Sequence, residues 1–389
     1  MKFIKNKFSS LVAVVLLSST LFLVQCQQKT IIEGVGDLYV LYDENEGYRI
    51  LAAGSDGELL DTLLYTSLKS LWFRYIAADE QTEVTFDFRL HDKKKHRKEE
   101  RFSVPWIPEK LLVVSDLHGR LDAFVALLKG NGVIDDRLHW RYGKNQLIFI
   151  GDILDRGRDD NGIAWLLYKL QEEAWQAGGK VVFIPGNHED LVLKNDLRYV
   201  NKEHLEFAEK TGVSYSDLYG PNTVLGHWIR SSDLIWVVGE DLFVHAGLST
   251  VMVENDYSIE EINQLGKQFI GYSTKEKKEL HPRNELLFGR YGPLWYRGLV
   301  FDTERYPPIS SEDLDIVLQY YKVKRIIVGH SEVKEIEQRY DGRVFAVNVK
   351  HYRNYPTDST AALLIKRDST FAVTYTGKKT LPRLYPPSG

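Results

Sequence analysis

The chain has a single cysteine, Cys26, in 389 residues. No intramolecular disulfide can form, and thiolate metal ligation is excluded everywhere except at that one position. Strong net charge is also missing. Lys and Arg number 50 against 54 Asp and Glu, a formal balance of -4. A nucleic-acid partner, which needs a large basic surface, is therefore not expected. There is no internal repeat and no low-complexity tract, and a strongly apolar segment occurs only at the N terminus. What remains is 43% hydrophobic and 12% aromatic. That composition suits a folded body, and the length suits one large domain plus a small one.

The N-terminal apolar run, residues 1–26, reads as an export signal. Lys2, Lys5 and Lys7 form a positive start, and Leu11 to Val24 an apolar stretch. That stretch is shorter than the roughly 20 residues of a bilayer span. It ends in Leu23-Val24-Gln25-Cys26, which resembles a bacterial lipoprotein signal, although Gln25 stands where a small residue is usual. The resemblance implies a lipidated Cys26 and an extracytoplasmic body anchored by lipid in the bacterial cell envelope.

Residues 31–106 predict a small all-β module. Leu38 to Tyr42, Tyr48 to Ala52, Val84 to Leu90 and Arg101 to Val104 read as short antiparallel strands between turns. Leu59 to Tyr75 fits either a strand pair or a short helix. The mixed charge run Asp92 to Arg101 reads as a solvated hairpin loop. Pro105 and Pro108 mark the boundary to a second domain, 109–389.

Three blocks open that domain: VVSDLHG (Val113 to Gly119), FIGDILDRG (Phe149 to Gly157) and FIPGNHE (Phe183 to Glu189). In each, an apolar β-branched run ends in a polar cluster, and a stretch of helical character follows. Repeated βα units have this form, with chemistry at the carboxyl ends of the strands. Leu121 to Lys129 and Ile163 to Ala174 read as helices with one apolar face. Largely helical insertions are expected near 190–230 and 251–295. A hairpin is predicted from Leu234 to Val244, and further strands at Arg325 to Val328, Arg343 to Val349, Ala361 to Lys366 and Thr370 to Tyr375. The pattern predicts an α/β architecture of two packed sheets with helices outside.

Asp, His and Asn at strand ends are the residue types that ligate divalent cations through oxygen and imidazole nitrogen. Asp116 and His118, two residues apart, can reach one metal. Asp152 is placed to bridge, and Asn187 supplies an amide oxygen to a second metal. His245 in FVHAGL and His330 in IVGHS complete the set. Two divalent cations bind the oxygens of a phosphate ester and acidify a bridging water. Arg156 is suited to grip phosphate through its planar fork. Taken singly, each Asp or His is as well read as a cap or a satisfied polar group. The joint pattern carries the reading.

The blocks SDLHG, GDILDRG, GNHE, VHAG and VGH, in this order, resemble the motifs of the calcineurin-like metallophosphoesterases. The Asp-Arg-Gly and Asn-His-Glu endings are similar to the phosphoprotein phosphatase (PPP) branch, including bacterial Shewanella-like phosphatases. The resemblance spans Leu111 to Val349. It implies a four-layer α/β/β/α sandwich of two mixed sheets flanked by helices. It also implies a metal-dependent phosphatase that attacks phosphate monoesters with a metal-bridging hydroxide. Asp116 and His118 would bind the first of two cations, Asp152 both, and Asn187, His245 and His330 the second. Manganese is the first expectation, with iron or zinc as alternatives. His188 would protonate the leaving group, Asp155 would keep His188 protonated, and Arg156 with Asn187 would hold the phosphoryl oxygens. Arg297 in GPLWYRG is the candidate second phosphate-binding arginine, with Arg290 behind it. Ser115 and Ala246 replace usual glycines. Ser331 and Glu332 follow His330, so the Gly-His-x-His pattern of nuclease-like relatives is missing. Phosphorylated Ser/Thr or Tyr protein is the expected substrate. Hydrolysis of a nucleotide or dinucleoside polyphosphate, and a non-enzymatic envelope-anchored binding protein, are the alternatives.

Overall fold

The computed structural model describes residues 13–14, 23–26, 29–43, 47–54, 58–64, 70–78, 83–88, 103–104, 107–357, 359–367 and 369–384. Most of the expected export signal, the side chain of Cys26, Pro105 and the charge run Asp92 to Arg101 lie outside the described residues. Among the described residues, no helix is long and apolar enough to cross a membrane.

Two mixed sheets flanked by helices form the body. One runs in the order Lys180–Ile184, Gln146–Ile150, Leu111–Val114, Ala361–Lys366, Ser369–Thr374, Lys379–Thr380. Its first three strands are parallel, and the rest add antiparallel. The strands LLVV and QLIFI are buried at every position. That is why they read as continuous apolar runs and not as alternating ones. The other sheet runs Arg383–Leu384, Glu337–Arg339, Val344–Ala346, Arg325–Val328, Asp241–Val244, Ile235–Val238, Ser103–Val104. The expected hairpin is its Ile235–Val238 and Asp241–Val244 pair. The strand expected over Arg343 to Val349 is shorter, because Val347 onward turns toward the other sheet's strand ends. A helix at Ser311–Tyr321 and a strand at Glu337–Arg339 were not expected.

A third sheet lies at the N terminus, built on the long strand Lys29–Tyr42. It departs from the antiparallel expectation twice: Ser70–Ile76 runs parallel to Lys29–Tyr42, and Ser103–Val104, expected in this module, pairs parallel with Ile235–Val238 in the second sheet of the body. The ambiguous stretch resolves into two strands, Leu59–Leu64 and Ser70–Ile76, which pair with different neighbours. This sheet packs on helix Asp160–Gln176. The single apolar face expected for that helix is a correction. Every residue from Asp160 to Leu170 is buried, because the sheet containing Lys180–Ile184 covers one side and the N-terminal sheet the other. Trp165 marks the contact, its ring 6.1 Å from Phe73 and its Nε1 donating to Leu38 O at 2.8 Å.

Candidate active site

Six strands of the two catalytic sheets end at one place. Val114 leads into Asp116, Ile150 into Asp152, and Ile184 into Asn187. Val244 leads into His245, Val328 into His330, and Ala346 into Asn348. The chain turns sharply at each exit. Asp116, His118, Asp152, Asp155, Arg156 and His330 all have φ between 45° and 72°. Non-glycine residues rarely adopt this left-handed conformation, which persists only where surrounding bonds over-determine it. Glu189 supplies several such bonds. Its Oε2 accepts the Gly186 and Asp152 N–H groups at 2.6 and 2.9 Å, and its Oε1 those of Ile153 and Leu154 at 2.8 and 3.1 Å. One buried carboxylate thus fastens two motif loops together. Gly186 must be glycine, since a Cβ there would collide with the Asp152 carboxylate.

The histidines are oriented by backbone carbonyls, which can only accept. His118 Nδ1 donates to Leu154 O at 2.9 Å, and His245 Nδ1 to Ile150 O at 3.0 Å. Each ring therefore presents Nε2 to the site. Asp152 stands between them. Its Oδ2 lies 3.7 Å from His118 Nε2 and its Oδ1 3.4 Å from His245 Nε2. His245 Nε2 is also 3.0 Å from Asn187 Oδ1. Burial pushes His118 down to about 3 and His330 well below the usual imidazole range. At His245 burial works the same way, but the Asp152 and Asp116 carboxylates outweigh it and lift the ring to about 9. Burial and Asp152 push the Asp116 carboxyl up to about 7.

These residues fit a pair of divalent cations. The donors are carboxylate, amide and imidazole, with no sulfur, the set that suits Mn, Fe or Zn. His330 Nε2 is buried with no hydrogen-bond partner, the state of a ligand atom kept for a cation. Among the described residues, His118, Asp152 and His188 form one tight triad, and Asp152, His245 and His330 a second, sharing Asp152.

Beside them lies a hydrogen-bonded His–Asp pair. His188 Nδ1 is 2.6 Å from Asp155 Oδ2, and its Nε2 is 3.3 Å from Arg156 Nη2. Burial lowers the His188 pKa, but Asp152 and Asp155 more than reverse this, so the ring sits above its ordinary value. The Arg156 guanidinium lies 5.3 Å from the Tyr352 ring centroid. Arg297 reaches the same region. Its Nη1 is 3.4 Å from both His330 O and Ser331 Oγ. Arg290 instead donates to Arg305 O, among exposed groups. Trp295 stands edge-on to His330 at 5.8 Å and forms cleft wall. Tyr320 and Tyr321 bond to Asp256 and Tyr257 in the second insertion.

Three residues escaped the sequence reading. Asn348 donates from Nδ2 to Asp116 Oδ1 at 2.8 Å and to His330 O at 3.2 Å. Its place after the apolar run VFAV is the same strand-end signal that marks the other blocks. Tyr352 stands edge-on to His118 at 5.9 Å. Tyr199 stands edge-on to His188 at 5.3 Å, and its carbonyl accepts the Arg156 N–H at 2.8 Å. Neither tyrosine has a local signature.

Comparison with known proteins points the same way. The sequence profile of the calcineurin-like phosphoesterases matches residues 109–333. The chain is 28% identical over 274 residues to Shewanella-like protein phosphatase 2 of Arabidopsis thaliana, covering 58% of this chain and 66% of that protein. It is 28% identical over 225 residues to Shewanella-like protein phosphatase 1 of Plasmodium berghei, covering 57% and 61%. The match thus spans less than two thirds of each of these relatives' length. The crystal structure of a cold-active protein-tyrosine phosphatase from a psychrophilic Shewanella superposes with a TM-score of 0.76 at 26% identity, covering 88% of this chain and 98% of that one.

Proposed function

We propose that this chain, which belongs to the calcineurin-like phosphoesterase family, hydrolyses phosphate monoesters on phosphoproteins with a pair of divalent cations. The observation that carries the reading is Asp152, whose two carboxylate oxygens face separate histidine clusters beside the His188–Asp155 pair. Asp116, His118, Asp152, Asn187, His245 and His330 would hold the cations, manganese first. When bound, such cations neutralise phosphoryl oxygens and make a water acidic enough to attack phosphorus. The remaining work falls to the protein. Arg156, with Arg297 across the site, orients the phosphoryl group and stabilises the charge that develops on it. His188 holds a proton at Nε2 for the leaving oxygen, and Asp155 fixes the ring by accepting from Nδ1. The similarity to Shewanella-like protein phosphatases and to a protein-tyrosine phosphatase structure favours a phosphoprotein substrate, phosphotyrosine included. The resemblance of residues 1–26 to a lipoprotein signal ending in Cys26 supports a lipid-anchored, extracytoplasmic location.

Purified protein loaded with manganese should hydrolyse an aryl phosphate and phosphopeptides, and should lose activity on chelation. Faster turnover of a dinucleoside tetraphosphate would move the substrate to nucleotides. No hydrolysis of any of the three would remove the enzymatic reading. Replacement of Cys26 by Ser should shift the protein from the membrane to the soluble fraction.

A further inference from the structure

The segment after the Asp155-Arg156-Gly157 turn reads Arg158-Asp159-Asp160-Asn161, and its last three side chains all leave the active site. Asp159 Oδ1 accepts from Tyr75 Oη and from Ala78 N, each at 2.9 Å. Asn161 forms a two-bond clasp with Leu38. Its Oδ1 accepts from Leu38 N at 2.9 Å, and its Nδ2 donates to Leu38 O at 3.0 Å. Asp160 lies 3.0 Å from His204 Nε2, and His204 Nδ1 lies 3.0 Å from Asp37 Oδ2. Tyr75, Ala78, Leu38 and Asp37 all belong to the N-terminal sheet or the turn beside it. Asp160, Asn161 and His204 are fully or almost fully buried.

The segment Tyr199 to Asn201, just before helix Lys202–Thr211, holds the turn from its other side. The Arg156 N–H donates to Tyr199 O, and Asn201 Nδ2 to Arg156 O at 3.3 Å. Asn201 caps helix Lys202–Thr211, accepting from Glu203 N. That helix carries His204, and Glu203 pairs with Arg158. The helix starts on both sides of the turn are therefore tied to adjacent residues of one strand, Asp37 and Leu38.

Asp37, Asp160 and His204 also resemble a cation site. Each ring nitrogen of His204 has a carboxylate oxygen 3.0 Å away, Asp37 on one side and Asp160 on the other. The arrangement suits an imidazolium held between two carboxylates. Burial opposes that charge, but Asp160 and Asp37 outweigh it and hold His204 well above the usual imidazole range.

We propose that the N-terminal β-sheet is a positioning element of the catalytic site, and that Asp159, Asp160, Asn161 and His204 transmit its hold to the turn carrying Asp155 and Arg156. The proposal rests on the phosphatase reading above. Asp155 and Arg156 are consecutive non-glycine residues at φ 72° and 71°. Such a pair relaxes unless its flanks are fixed. Arg156 is the residue whose placement suffers first.

The test uses the full chain and Asn161→Ala, Asp159→Ala and Asp159→Asn. Asn161→Ala and Asp159→Ala should each lower kcat on an aryl phosphate about tenfold or more at a temperature where the variants are folded, with metal content unchanged. Asp159→Asn, which keeps an oxygen acceptor for Tyr75 and Ala78, should restore most of the rate. In an Arg156→Ala background, Asn161→Ala should cost little more. A loss of the same size in both backgrounds would mark a merely structural role and overturn the proposal. Hydrogen exchange gives a readout independent of turnover. The Arg156 amide should exchange faster in Asn161→Ala, while amides of the Asp116 and Asn187 turns should not. Unchanged Arg156 protection would overturn the proposal. Wild-type inactivity with the exchange effect intact would count against the phosphatase reading alone. A third metal equivalent that His204→Gln removes would turn the cluster into a cation site and also overturn it.

Discussion

His188 Nδ1 donates to Asp155 Oδ2 across 2.6 Å, and the Asp155 side chain is fully buried. The bond fixes which ring nitrogen, Nε2, is turned toward Arg156 and the site. It also keeps a negative charge beside a ring that burial alone would leave neutral. Asp155→Asn should therefore lower kcat by at least about a hundredfold for an alkyl phosphate. The loss should be smaller for a nitrophenyl phosphate, whose leaving group needs no proton. The pH profile should move with a defined sign. A general acid works below its pKa, and Asp155 raises the His188 pKa. Activity on the alkyl substrate should thus fail at lower pH in the variant. A pH–rate profile that stays in place would argue against this role for the pair.

Asn348 spans Asp116 and the carbonyl of His330. Asn348→Ala leaves the proposed ligands in place but removes the hold on Asp116 Oδ1, leaving the His330 N–H on Oδ2 at 3.0 Å. A loss of about 10–100-fold in metal affinity or activity is expected, the usual effect of removing an outer-shell partner. Asp152→Asn should be much more severe and should empty both sites. Metal titration of the two variants beside wild type checks the ranking.

Glu189 accepts four backbone N–H groups at once. Glu189→Ala strands all of them in a buried turn. Each unsatisfied buried donor costs about 1–3 kcal/mol, so a total loss of about 3 kcal/mol or more is expected in urea denaturation. Glu189→Gln should also destabilise, since its amide nitrogen points a donor at donors. Near-wild-type stability in both would mean that water replaces the carboxylate.

Asp190 is buried with Lys277 against it and Lys194 at 3.2 Å. Burial tends to raise its pKa, but the two lysines outweigh burial and hold the carboxyl below its ordinary value. A depressed folded-state pKa stabilises the fold at pH above the unfolded value of about 3.9. That stability is lost as pH falls through the depressed value. Acid unfolding followed by circular dichroism should show wild type falling steeply below about pH 4. Asp190→Asn should be less stable at neutral pH and flatter in the acid range. Parallel acid curves for the two proteins would contradict this.

The strand-end blocks were legible because they are local. An apolar run that ends in Asp, His or Asn writes both the strand and the chemistry into fewer than ten residues. The alternating grammar of strand and helix made the α/β architecture legible for the same reason. The all-round burial of Asp160 to Leu170 was not legible, since periodicity reports a helix's own faces and not a second sheet laid over the polar one. Asn348 and Tyr352 were hidden by distance: Asn348 meets Asp116 across 232 residues of chain.

By itself, then, the sequence determined which residues stand at the ends of buried strands, because strand formation and turn chemistry are decided by near neighbours. The tertiary structure decided the rest: that Asp152 faces two histidine clusters, that Asp155 and Arg156 are held in a left-handed turn, and that Asp37 and Leu38 hold that turn's flanks. Those relationships depend on long-range packing. No short segment specifies the contacts that over-determine a disfavoured backbone.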